Sequence, residues 1–164
     1  MTNKIRKQAH KISLEDLKKR IIFNPKPTKE ELYLGCYLEM LEPQVREAVR
    51  EFNKKGYPTW SSGFYGEKQA IDGFFVIDKQ IKIKLKKNGV NVVEEKNGYS
   101  TVEFIPNAQN LKTMKKQWHQ IAKILPTKKI KPPSDSAGSK LFRKNPLKEA
   151  FYEIGQLEYL INRN

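Results

Sequence analysis

The stretch VNVVEEKNGYSTVEFI, residues 90–105, decides the fold. β-branched and aromatic side chains fill both of its ends, and Asn97-Gly98 in the middle supplies the two positive φ angles of a type I′ turn. Val90 to Glu95 and Tyr99 to Ile105 therefore read as two strands of an antiparallel hairpin. On its C-terminal side, Pro106 and Asn107 break the sheet. Leu111, Met114, Trp118, Ile121, Ala122 and Leu125 then recur at helical spacing, predicting an amphipathic helix over 107–125 that Pro126 ends.

On the N-terminal side, Ile81, Ile83 and Leu85 alternate with lysines as in a strand, yet Asp78 offers a cap and Gly89 a stop, which favours a short helix over 79–88. Tyr57 to Phe64 and Ile71 to Ile77 read as two further strands, joined by a turn over Gly63 to Lys68. Pro43 suits the first position of a helix over 43–55, whose Val45, Ala48, Val49 and Phe52 share a face and which Gly56 ends. Thr28 with Glu31 three residues later is a capping-box pattern, opening a helix that carries Leu32, Cys36 and Met40 toward Glu42. Ser13, followed by Glu15 and Asp16, is placed to cap a short helix with Leu14, Leu17 and Ile21 on one face. Asn24-Pro25-Lys26-Pro27 stops it. Beyond Pro126, Thr127 to Lys144 lacks an apolar period and reads as a linker. Asn145-Pro146 starts a last helix with Leu147, Ala150, Phe151, Ile154, Leu157 and Ile161 along one stripe, expected to dock back on the domain.

The expected fold class is α+β: a small, mostly antiparallel sheet of about four strands packed by amphipathic helices. The expected organisation is a basic arm with a short helix (1–27), an α+β core (28–126), a basic linker (127–144) and a C-terminal amphipathic helix (145–164).

Charge is distributed unevenly. The 164 residues carry 32 Lys plus Arg against 18 Asp plus Glu, a net of +14. Residues 1–29 hold nine basic and two acidic side chains, and residues 112–148 hold eleven basic and one acidic, whereas 30–111 balance eleven against twelve. A localised excess of this kind is the footprint of a polyanion-binding surface. Twenty-six of the basic residues are Lys, which favours point-charge contacts to phosphates over bidentate reading of guanine, and hence little sequence specificity. A solvated, solubilising surface is the bland alternative.

No apolar run exceeds the four residues Phe74 to Ile77, too short for a membrane span. The basic start has no apolar stretch after it, as a secretory signal would. One cysteine, Cys36, forms no internal disulfide and no Cys-based zinc site; it is expected to be buried in a helix as a small apolar residue. A cytoplasmic setting is expected. No Walker loop, Rossmann fingerprint or nucleophile elbow is present, and no cofactor or metal is expected.

The leading expectation is a small, non-catalytic binder of nucleic acid or another polyanion. Its contacts would come from Lys112, Lys115, Lys116 and Lys123 on the helix, Lys128, Lys129 and Lys131 on the linker, and Arg6 and Lys7 on the arm. The loop Trp60 to Lys68 offers aromatics, hydroxyls and glycines. Within it Tyr65 and Lys68 are the expected contacts, while Trp60 and Phe64 are expected to fill the core. His10 and His119 are expected at surface or phosphate contacts.

An enzyme is the alternative. The spacing of Asp78, Glu94 and Lys96, with Glu47 on the preceding helix, resembles the restriction-endonuclease-like core. That resemblance implies acids on neighbouring strands holding a divalent ion and a lysine steadying charge. A third class is an adaptor that engages a protein partner, or a second copy, through 145–164.

Overall fold

The computed structural model describes residues 2–94, 98–129, 131 and 135–163. In chain order these form α1 (Thr2–Phe23), α2 (Lys29–Leu34), a 3-10 turn (Leu38–Met40), α3 (Arg46–Lys54), β1 (Thr59–Tyr65), β2 (Lys68–Gly73), α4 (Lys79–Lys87), β3 (Val90–Glu94), β4 (Ser100–Phe104), α5 (Leu111–Ile124), α6 (Ala137–Lys144) and α7 (Pro146–Asn162). The strands make one antiparallel sheet in the order β1-β2-β4-β3, so the fold is α+β. No described helix is long and apolar enough to cross a membrane.

The hairpin decides the sheet as its sequence dictates. Val90 lies opposite Phe104 and Val92 opposite Val102, and Ile71 of β2 continues that row. Gly98 has φ +79°, a conformation glycine adopts without the Cβ penalty; Asn97 lies outside the described residues. The buried row joins Ala48, Val49 and Phe52 of α3 and Trp118, Ile121 and Ala122 of α5 in one core. Trp118, fully buried, sits edge-on to Phe104 at 4.8 Å and to Phe52 at 6.3 Å between centroids. Helix 79–88 is present, and Asn110 caps α5 by accepting from the Thr113 amide at 2.8 Å.

Several expectations are corrected. Gly66-Glu67 form a two-residue turn, closing the hairpin at Tyr65 and Lys68, so the second strand is Lys68–Gly73 and not 71–77. Phe74 to Ile77 leave the sheet, and Gly63 lies within β1 rather than in the turn. Helix α2 stops at Leu34 because Gly35 caps it in the left-handed conformation, φ +85°, its amide donating to the Glu31 carbonyl; a Cβ there would also sit 2.3 Å from the Ser139 side chain. Cys36 and Met40 therefore do not extend its stripe. Helix α3 begins at Arg46, Pro43 to Val45 forming a turn before it.

The N-terminal segment is one helix from Thr2, not a short one starting at Ser13. Ala9, Ser13 and Leu17, four residues apart, are all buried, and Ser13 Oγ donates to the Leu41 carbonyl at 3.1 Å instead of capping a helix. The second half of the expected linker is α6, capped by Ser136, whose Phe142 meets Tyr37 edge-on at 5.1 Å. Helix α7 packs along α1 and α6 through Ala150 and Leu157, leaving Leu147 and Phe151 exposed.

Leu17, Tyr37, Phe142 and Ala150 thus make a second, smaller core, and a buried ion pair holds it. Glu31, at 0% exposure, closes the capping box with Thr28, accepts from the Leu38 amide at 2.9 Å and takes both ends of the Arg20 guanidinium, Nη1 at 2.6 Å and Nη2. Glu31→Gln removes the buried charge while Arg20 keeps Glu39 at 2.8 Å and the carbonyls of Asn24 and Lys26, so it should cost on the order of 2–3 kcal/mol in urea denaturation, the scale of hydrogen bonds to a charged group. A loss nearer ~1 kcal/mol would place the pair with ordinary surface bridges.

Candidate functional site

Amphipathicity puts α5 to two uses, since the stripe that buries Met114, Trp118, Ile121 and Ala122 leaves Lys112, Lys115, Lys116 and Lys123 on the outside. None of these four makes an ion pair with a described residue. The neighbouring α4 buries Leu85 and half-buries Ile81, and exposes Lys79, Lys84, Lys86 and Lys87, equally without such a pair. Sequence reasoning missed those four. Helix α4 carries five lysines and no acid, a signal averaged away by counting charge over the neutral span 30–111.

On the outer side of the contact between α3 and α5 runs a groove of about 870 Å³. Its α5 wall carries the predicted lysines with His119, and its α3 wall carries Glu47 and Glu51. Those acids are matched on their own helix, Glu47 by Arg50 at 3.1 Å and Glu51 by Lys54 at 3.7 Å. Lys55 reaches across, donating to the carbonyls of Ala122 at 2.6 Å and Leu125 at 2.9 Å, where the end of α5 concentrates unsatisfied acceptors.

The other predicted contacts are dispersed. Lys128 donates to the Val76 carbonyl at 3.0 Å and lies 4.5 Å above the Tyr57 ring; burial pushes its pKa down against the opposing pull of Asp78. Lys129 and Lys131 are exposed. Arg6 and Lys7 line a separate cavity of about 500 Å³ with Arg163. Tyr65 is exposed, and Lys68 is bridged to Glu103 at 3.2 Å.

The candidate nuclease residues each face a different neighbour. Glu94 pairs with Lys82 at 2.5 Å, Glu47 with Arg50, and Asp78 lies exposed beside Tyr57 and Lys128; Lys96 lies outside the described residues. Among the described residues, no three His, Cys, Asp or Glu side chains gather closely enough to hold a metal ion.

The structure also gathers residues that sequence reasoning kept apart. Between the two cores lies a cleft of about 440 Å³, lined by His10 of α1, Glu42, Ser62 and Trp60 of the β1 side, and Glu149 and Glu153 of α7. His10, expected at the surface, is 7% exposed with Nε2 3.5 Å from Glu42 Oε2. Glu42 Oε1 accepts from the Phe64 amide at 3.0 Å and from Gln44 Nε2 at 2.9 Å, covering a donor on the edge strand β1. Gly63 makes room for it, as a Cβ there would stand 2.0 Å from that oxygen. Gln44 continues the chain inward to Gln69 at 3.1 Å, and Gln69 also accepts from Trp118 Nε1 at 3.2 Å.

Burial pushes the Glu153 pKa up, with His10 opposing and Glu42 and Glu149 adding to the shift. Burial likewise pushes the Cys36 thiol up to about 12, so it is neutral and a weak nucleophile. The cleft joins residues far apart in the chain, and no local pattern announces it.

The chain matches no protein-family model, no curated protein and no solved structure.

Glu153 yields a pH prediction. A carboxyl whose folded pKa is raised stabilises the fold fully below its unfolded value, and that contribution is lost as pH rises through the folded value. Glu153→Gln removes the loss, so its melting temperature relative to wild type should climb from pH 4 to pH 8 in a scanning-calorimetry series. A flat difference would mean that Glu153 titrates as if in water.

Proposed function

We propose that this protein is a non-catalytic binder of nucleic acid or a similar polyanion, held mainly by lysine contacts to phosphates on α4 and α5. The observation that supports the reading is the pair of neighbouring helices, each presenting four exposed lysines without an ion-pair partner among the described residues. Charge left unpaired on a rigid, packed surface attracts counterions, and a polyanion displaces them with a gain in entropy. The arginines at 20, 46, 50 and 143 are engaged inside the fold. The free cations are therefore largely lysines, which suit phosphate contact without base reading. Exposed Lys129 and Lys131 extend the same chemistry along the segment after α5.

The test is a salt series. Fluorescence anisotropy with labelled oligonucleotides in EDTA should show binding near physiological salt, with log Kd rising steeply with log salt. Replacing Lys112, Lys115 and Lys116 by Gln should reduce that slope by about 2–3 on duplex DNA, with an unchanged circular dichroism spectrum, since all three side chains are exposed. No binding at that salt, or an unchanged slope, would contradict the reading. Magnesium-dependent cleavage lost in Asp78→Ala would replace it with the nuclease.

A further inference from the structure

Trp60 occupies a place that the strand pattern does not provide. The β1–β2 register slips between Thr59 and Ser61, and Trp60, at that irregularity, falls outside the alternation that would aim it into the core. Its side chain is 52% exposed. It stacks on Tyr99 with centroids 5.7 Å apart and planes 22° from parallel. Phe74 braces both rings, 4.7 Å from Tyr99 and 5.5 Å from Trp60. Trp60 lies near the start of β1, Phe74 directly after β2 and Tyr99 directly before β4, so the cluster is held where three neighbouring strands of one sheet begin or end.

A braced, half-open aromatic stack at a surface is a poor use of rings if burial is their whole purpose. Trp118, Phe52, Phe75 and Phe104 show how this chain buries aromatics when it does so. Lys128 is tied to the carbonyl of Val76, two residues beyond Phe74, and Lys129 follows it, exposed, while on another side Trp60 borders the cleft that Glu42, Glu149 and Glu153 line. The nearby carboxylate of Asp72, in register with Ser61, accepts a hydrogen bond from Thr101 Oγ1.

We propose that Trp60, Tyr99 and Phe74 form a stacking platform for an unpaired nucleobase, making single-stranded nucleic acid the preferred polyanion. This inference rests on the polyanion-binding reading above and narrows it. In a duplex both faces of each base are covered by its neighbours, so only an unpaired nucleotide can lay a face on Trp60. The lysines then hold the backbone while the ring holds a base, the combination used by sequence-tolerant single-strand binders.

The two tryptophans make the test direct, because Trp118 is 0% exposed and Trp60 is the one a ligand can reach. Tryptophan emission is followed while the protein is titrated with a mixed-sequence single-stranded oligonucleotide, with its duplex, and with heparin, a polyanion without bases. Binding of each is measured separately by anisotropy or competition. The single strand should quench emission, whereas heparin should bind without quenching and the duplex should quench far less. Trp60→Ala should weaken single-strand binding about tenfold or more with the salt slope unchanged, and Trp60→Phe should restore most of it.

Single-strand binding without quenching, and indifferent to Trp60→Ala, would overturn the platform and leave the lysine surface standing. Equal quenching by the duplex would overturn the single-strand preference. Binding to none of the three would overturn both readings. Should Trp60→Ala fail to fold, the wild-type quenching pattern and the Trp60→Phe affinity still decide between these outcomes.

Discussion

A fully buried carboxylate is the constraint on which the helical half of this protein rests. Glu31 has lost all contact with solvent, and an ionised carboxylate in that position is tolerable only when its lone pairs are filled. The sources of its partners define the architecture. Thr28 and Leu38 bring its own segment around it, and Arg20 brings the end of α1. Burial pushes the Glu31 pKa up, yet the Arg20 hydrogen bonds and the two amides outweigh it and hold the group below the usual carboxylate range. Arg20 also lies 4.9 Å above the ring of Tyr37, the residue that anchors Phe142. One ion pair thereby links α1, α2 and α6, and the cleft lined by His10, Glu42 and Glu153 is the seam where that assembly meets the sheet.

The same logic sorts the two kinds of cation. Arg20, Arg46, Arg50 and Arg143 reach carboxylates or backbone carbonyls in partly enclosed places, Arg143 filling acceptors at Leu32 and Tyr33 near the end of α2. A planar, multi-donor fork suits those positions, while a strongly hydrated ammonium on a flexible stem suits solvent. Most lysines, accordingly, are on the outside. The surplus charge is thus concentrated in the residue type that contacts phosphates as point charges, and much of it sits on the two helices packed beside the sheet.

The legible parts of this fold were those written in local chemistry. Asn97-Gly98 placed β3 and β4, Thr28 with Glu31 placed the start of α2, and the stripe from Leu111 to Leu125 placed α5. What escaped depended on partners distant in sequence. Ala9 and Ser13 are too small or polar to mark an apolar stripe, so the first half of α1 read as an arm. Trp60 is exposed because of a slip in strand register, which no periodicity records. Among the candidate site residues, the outward lysines of α5 were legible because one helix face carries them. His10 and Glu42 became neighbours only when α1 packed against the turn over Leu38–Met40 and the Leu41 carbonyl after it.

The proposed binding surface is the set of solvated lysines on α4 and α5. An amide chemical-shift map of the nitrogen-labelled protein, titrated with a short single-stranded oligonucleotide, tests it residue by residue. Perturbations should concentrate on α4, α5 and the lysines at 128, 129 and 131, and extend to Trp60 and Tyr99. Perturbations confined to α1 and α7, or none at saturating oligonucleotide, would rule that surface out.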